Sequence, residues 1–268
     1  MCSTEIRDGS VRKMEKFFTI NKDGCSIRCK LYSKEPRSAR RVVIFCHGFG
    51  GHKDNHAAAR YAEYVLSKNR GVAVVTFDLP CHGEDARHIL RLEDCMNYIQ
   101  QVLDWAKETM HPENICAYAT SFGGYLLLLY IHEKGMPFQK AALRCPAVPM
   151  HEVFGKIISQ EELQRIEKGK EVLVGFDRKV RVDRTFLDEV RAHDVAQYDY
   201  SDYAYDMIVI HGTKDEIVPI EPVKEFAENS FLDFIAVEEA DHRFHDPKKM
   251  DEAILQIETF FADETVHR

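Results

Sequence analysis

The stretch ICAYATSFGGYLLLLY, residues 115–130, decides how this chain is read. Its first four residues are an apolar run of strand length, and residues 122–133 read as a rather apolar helix. Almost nothing separates the two. A strand that passes into a helix across so short a turn crowds its own backbone. Small residues are then needed two positions before and two after the apex, and Ala119 and Gly123 stand there. The apex side chain, Ser121, is thrust into solvent at the carboxyl end of the strand. An exposed serine held this way is what covalent catalysis requires of a hydroxyl that is a weak nucleophile until a base takes its proton. The plainer alternative is a serine that only caps a helix.

Working outward, short apolar runs alternate with amphipathic stretches. Residues 41–46 (RVVIFC) and 72–77 (VAVVTF) read as strands covered on both faces. Residues 140–145, 207–211 and 234–238 read as further strands. Helical spacing marks residues 55–69, with Ala58, Tyr61, Ala62, Val65 and Leu66 on one face before Gly71. It also marks residues 92–109 and 251–261. Residues 15–20 and 25–32 flank Asp23-Gly24, a hairpin signal. Strands alternating with helices predict an α/β fold with a mostly parallel central sheet and helices on both faces, the hairpin adding antiparallel edge strands.

One segment breaks the rhythm. About 60 residues lie between the strands at 140–145 and 207–211, too long for a simple crossover. Within them, residues 160–168 and 185–193 look helical. Residues 171–176 and 179–182 suggest a hairpin turning at Asp177-Arg178. The expectation is a single domain, residues 1–268, with an inserted cap or lid at about 148–205.

Three more motifs sit just past predicted strands. His47-Gly48-Phe49-Gly50-Gly51 follows RVVIFC, and its glycines let backbone N–H groups approach a developing oxyanion. Phe49 and Phe122 are the expected donors. The loop lacks the spacing of a phosphate-binding GxxxxGK[ST]. In His211-Gly212-Thr213-Lys214-Asp215-Glu216, a strand delivers a carboxylate that can hold a histidine tautomer; Asp215 is the candidate and Glu216 its neighbouring competitor. In Ala240-Asp241-His242-Arg243-Phe244-His245, His242 is the candidate general base and His245 its rival. No cluster has the spacing of a zinc site, so neither a metal nor a cofactor is expected.

Composition narrows the function further. The 268 residues are 45% hydrophobic and 30% charged, with a net charge of −8, which excludes a disordered or fibrous chain. No Lys/Arg cluster favours nucleic acid. No apolar run approaches a membrane span, and the N-terminus lacks the apolar core of a signal peptide. The eight cysteines, at 2, 25, 29, 46, 81, 95, 116 and 145, form no CxxC and read as free structural thiols in a reducing, cytoplasmic protein.

The order Ser121…Asp215…His242, with all four motifs at the ends of successive strands, resembles the α/β-hydrolase superfamily over residues 15–262. Within it, HGFGG, ATSFGG, HGTKDEIVP and ADHRF look most like bacterial feruloyl (cinnamoyl) esterase-type enzymes. Asp78-Leu79-Pro80-Cys81-His82-Gly83 is similar to their D-x-x-G-H-G loop, with Pro80-Cys81 where glycine is usual. That family carries an inserted lid between the same two strands. The resemblance implies Ser121 as nucleophile, His242 as base, Asp215 as its orienter, and the Phe49 and Phe122 amides as oxyanion donors. It also implies an ester hydrolase acting on a small molecule; a monomer or homodimer is expected. Peptidase, thioesterase or acyltransferase chemistry would use the same triad, and a non-catalytic binding protein is the reading from another class. Tyr198, Tyr200 and Tyr203 in the tyrosine-rich stretch 197–206 are candidate substrate contacts; otherwise they pack the lid onto the body. His151 and Glu152 are weaker candidates to face the site.

Overall fold

A computed structural model describes residues 14–176 and 178–263. Cys2, the N-terminal stretch read for a leader, and Asp177 of the expected hairpin turn lie outside the described residues. In chain order the elements are β1 (Met14–Lys22), β2 (Cys25–Ser33), β3 (Arg41–Cys46), α1 (His56–Lys68), β4 (Val72–Phe77), α2 (Leu92–Met110), β5 (Asn114–Thr120), α3 (Phe122–Lys134) and β6 (Lys140–Arg144). They continue with α4 (Met150–Ile157), α5 (Gln160–Glu167), β7 (Val172–Val174), β8 (Val180–Val182), α6 (Arg184–Ala192), β9 (Met207–Gly212), α7 (Ile220–Asn229), β10 (Asp233–Val237) and α8 (Pro247–Ala262).

Eight strands form one sheet in the order β1-β2-β4-β3-β5-β6-β9-β10. The β1–β2 hairpin and the β2–β4 pair are antiparallel, and the remaining neighbours are parallel. The sheet therefore carries its antiparallel strands at one edge, where the Asp23-Gly24 hairpin put them. Along β3, β4 and β5 nearly every residue is buried, because helices cover both faces. Helices α1 and α8 cover one face through Ala58, Tyr61, Val65, Ala253, Ile254 and Ile257. Tyr61 ties α1 to Glu258 of α8, and Arg41 at the start of β3 engages the same carboxylate. Helices α2, α3 and α7 cover the other.

Helix α3 has no polar side over its first ten residues, all of them buried. A helix apolar all round needs cover all round. The sheet and α2 supply part of it, and the segment between β6 and β9 supplies the rest. Tyr125 Oη donates to the His193 carbonyl (3.0 Å), and Tyr200 Oη donates to the Leu128 carbonyl (3.2 Å). That segment holds α4, α5, the β7–β8 hairpin and α6. It is anchored to the start of α2: Arg91 makes a bidentate pair with Asp183 (2.9 and 2.6 Å), and the Leu92 N–H donates to Glu189 (3.1 Å). Phe154, Val172, Val182, Phe186 and Val195 belong to the same apolar cluster as α2 and α3.

Three helix assignments are corrected. Helices α4 and α7 were not anticipated, and α8 starts at Pro247 rather than 251. Gly155 interrupts the short pattern of α4. In α7, Pro222 argues against a helix on sequence alone. It falls in the first turn, however, where a missing N–H has no intrahelical partner to lose. Helix α8 opens with an Asp246 cap and Pro247, a start signal that the later apolar stripe overshadows.

Candidate active site

Ser121 occupies the junction of β5 and α3 with φ 53° and ψ −120°. A non-glycine residue there is strained, and the surroundings must impose the conformation. They do so through the backbone. Ser121 N–H donates to the Arg144 carbonyl at the end of β6 (3.1 Å), and its carbonyl accepts from Ala147 (3.0 Å) and Tyr125 (3.1 Å). Gly123 lets the first turn of α3 lie against β3. A Cβ there would stand 2.4 Å from the Cys46 carbonyl oxygen and 2.6 Å from that of His47. Gly48 approaches from the next loop, where a Cβ would meet Ser121 Cβ at 3.1 Å. The small residues demanded by the turn thus have identified neighbours. Relief of the strain gives a prediction. Ser121→Gly is expected to gain about 1 kcal/mol of unfolding free energy in a denaturant titration while losing the hydroxyl. Unchanged or lower stability would mean the turn stores no strain.

Asp215 lies in the loop after β9. Its Oδ1 accepts from the amides of Ile217 (2.9 Å) and Val218 (2.7 Å), which fixes the carboxylate plane. Its Oδ2 lies 2.7 Å from His242 Nδ1 and 3.2 Å from His211 Nε2. Burial alone would raise this carboxyl's pKa, but hydrogen bonds from His211 and His242, with the Val218 amide, hold it well below the usual range. An ionised Asp215 makes His242 Nδ1 the protonated nitrogen. Nε2 is then left as an acceptor, 3.0 Å from Ser121 Oγ. His242 is itself placed by the loop after β10, where its N–H donates to Glu216 (3.4 Å). Thr213 N–H donates to the Val237 carbonyl (3.0 Å) and Lys214 N–H to that of Ala240 (2.9 Å), which joins the Asp215 loop to the His242 loop.

The loop after β3 is held by a buried histidine. His47 Nε2 accepts from the Leu79 amide (3.2 Å), so Nδ1 carries the proton and donates to the Gly48 carbonyl (2.8 Å). Burial pushes this imidazole well below its ordinary pKa and keeps it neutral. Gly51 N–H donates to the same carbonyl (2.9 Å). In a trans peptide the next N–H points the opposite way, so fixing the Gly48 carbonyl fixes the Phe49 amide. Phe122 is the first residue of α3, and its N–H has no intrahelical acceptor. The two phenyl rings meet edge to face, with centroids 5.6 Å apart. His82 packs beside both rings, donates from Nδ1 to the Pro80 carbonyl (2.7 Å), and is pushed down to about 4 by burial.

These groups open onto one cleft of about 530 Å³, lined by Gly48, Phe49, Ser121, Phe122 and His242, with Met150, Val153, Ile157 and Phe176 from the inserted segment. Ser121, Asp215, His242, Phe49 and Phe122 are therefore brought together. Tyr198, Tyr200 and Tyr203 are not, and their expected role is corrected. Tyr198 stacks on His132 at 3.6 Å, Tyr200 is buried against α3, and Tyr203 approaches the end of α3 near Gly135. Their apolar faces are consumed in covering the body. His245 lines the cleft, but its ring pairs with Asp241 (2.5 Å) rather than with Ser121 or Asp215. His151 and Glu152 line a separate groove against α6 and α7. Arg144, at the end of β6, does line the cleft. The sequence signal is a charge at the carboxyl end of a strand whose middle is apolar, KAALR. Among the described residues one group has metal-ligand types close together, Cys145, His211 and Asp215. Its carboxylate is already taken by two amides and two imidazoles.

The profile of the alpha/beta hydrolase family matches residues 43–253. No curated protein matches the chain in sequence. Several solved structures do resemble it in fold. Est1E from Butyrivibrio proteoclasticus, a structure with ferulic acid bound, superimposes with a TM-score of 0.73 at 17% identity, covering 92% of this chain and 100% of that one. Alpha/beta hydrolase domain-containing protein 10 from mouse gives 0.70 at 16%, covering 92% and 98%. The esterase domain of a Rhodothermus marinus protein gives 0.66 at 16%, covering 92% and 97%.

Proposed function

The chain belongs to the alpha/beta hydrolase family, and within it we propose a serine hydrolase that cleaves carboxylic esters of small to medium acyl groups through an acyl-enzyme. The observation that carries this reading is the hydrogen-bonded chain from Ser121 Oγ to His242 Nε2 (3.0 Å) and from His242 Nδ1 to Asp215 (2.7 Å), at the floor of an open cleft.

The chemistry follows from those positions. His242 Nε2 takes the Ser121 proton as Oγ attacks the ester carbonyl. Negative charge collects on the former carbonyl oxygen, and the Phe49 and Phe122 amides are the donors that meet it. Each such donor typically contributes about 3 kcal/mol to lowering the barrier. Asp215, ionised and fixed by two amides, stabilises the imidazolium that forms. His242 returns its proton to the departing alcohol, and water then cleaves the acyl-enzyme with His242 again as base. The inserted segment acts as the cap of a single hydrolase domain. Val153, Ile157 and Phe176 give the acyl side an apolar wall, one with room for a hydroxycinnamoyl ring.

A panel of p-nitrophenyl esters from acetate to laurate, together with methyl ferulate, tests this reading. Turnover is expected with a preference among the shorter chains, and a fluorophosphonate probe is expected to label Ser121. Turnover of methyl ferulate above that of aliphatic esters would assign the aromatic wall to hydroxycinnamoyl groups. A protein inert to the whole panel and to the probe would overturn the proposal.

A further inference from the structure

Arg144 is almost wholly buried, yet among the described residues it has no carboxylate partner. Only Nη1 of its fork finds acceptors, the Arg243 carbonyl (3.4 Å) and Met250 Sδ (3.5 Å). Nε is buried without any. The Phe244 ring lies 4.8 Å from the guanidinium and covers one face. A guanidinium removed from water without a counter-ion is costly, and most buried charges are paired. This one lines the same cleft as Ser121. Its strand register also brings it to the site, because β6 pairs Arg144 with Thr120 and its carbonyl accepts from Ser121.

The surroundings point the same way. The chain carries a net charge of −8, yet no described residue lining the cleft is acidic, while Arg178 lines it beside Arg144. Among the described residues, the carboxylates of the catalytic loops are committed elsewhere: Asp215 to His242 and His211, Glu216 to the His242 amide, Asp241 to His245. The amino-terminal end of α1 at Asn55–Ala57 also opens onto the cleft and adds the positive end of its dipole.

From this geometry we propose that the substrate is a half-ester, a small molecule bearing a free carboxylate besides the scissile ester, and that Arg144 pairs with that carboxylate. The proposal rests on the cleft being the site of ester hydrolysis. A carboxylate can reach Nη2, the one nitrogen of the guanidinium that neither finds an acceptor nor is fully buried, and a charge-assisted bond to it is stronger than one between neutral groups. The ester carbonyl would then lie toward Ser121 and the carboxylate toward β6, which fixes the register of attack.

Calorimetric binding to Ser121→Ala, which holds esters uncleaved, is the test. The probes are monomethyl glutarate and methyl pentanoate, alike in length and different in charge. The half-ester is expected to bind at least about tenfold more tightly, with an advantage that shrinks as NaCl rises. Adding Arg144→Gln should abolish the advantage, and adding Arg144→Lys should retain part of it, because the charge stays while the fork is lost. Equal affinities, an advantage that survives Arg144→Gln, or binding of neither probe would each overturn the proposal. Should the Gln variant fail to fold, the Lys variant and the salt dependence still decide. Failure of the ester-hydrolase reading would appear elsewhere, as a wild-type protein inert to neutral and charged esters alike.

Discussion

Ser121→Ala is expected to lower kcat/KM on every ester that the protein cleaves by about four to six decades. The hydroxyl is the atom that becomes bonded to the acyl group, and no other hydroxyl among the cleft-lining residues is hydrogen-bonded to His242. His242→Ala should cost a similar factor, since Oγ then keeps its proton at neutral pH. The double variant should be scarcely slower than either single one. Residues that work as one unit lose the whole effect when the first is removed, and only the oxyanion donors and binding contacts remain to act on the substrate. Initial rates of the three variants on p-nitrophenyl butyrate settle the matter. Additive losses would mean that the two side chains act in separate steps, and full activity in Ser121→Ala would move the nucleophile elsewhere.

Asp215→Asn is expected to cost about four decades in kcat with little change in overall structure. The asparagine amide keeps the shape but offers an N–H where an acceptor is needed. His242 would turn over its tautomer, place its proton on Nε2, and face Ser121 with a donor instead of an acceptor. The same variant carries a pH signature. The Asp215 carboxyl is held well below its ordinary value by His211 and His242 against the opposing effect of burial. A group depressed in the folded state stabilises the fold above its unfolded pKa of about 3.9 and loses that contribution as pH falls through and below it. The stability gap between wild type and Asp215→Asn should therefore be full at neutral pH and shrink below about pH 4. Denaturant midpoints measured from pH 7 down to pH 3 read it directly. A gap independent of pH would mean that the carboxylate is not stabilised by its partners.

What the sequence made legible was chemistry written into short stretches. The turn at Ser121 demands small residues at 119 and 123, and a Cβ at 123 would indeed collide with the strand β3 backbone. The residues alone leave His242 and His245 as rivals and only the family resemblance favours His242; the choice becomes a physical statement once His242 is seen bonded to Ser121 and Asp215 while His245 pairs with Asp241. The tyrosines were misread because their composition suits a binding wall equally well. Their orientation depends on an apolar helix, α3, that needs covering and lies far away in sequence. Arg144 escaped notice for a related reason. At the end of an apolar strand a lone arginine looks like a surface residue, and only the fold of α8 and the loop before it, with Phe244 and Met250, encloses it.

The segment between β6 and β9 has a bearing on which changes the fold can absorb. Its apolar side chains do not form a nucleus of their own; Phe154, Val172, Val182, Phe186 and Val195 merge with those of α2 and α3. Exchanging it wholesale for an unrelated segment would uncover α3. Single replacements at the few positions that meet the cleft, such as Val153, Ile157 and Phe176, would reshape its wall and leave the cover of α3 in place.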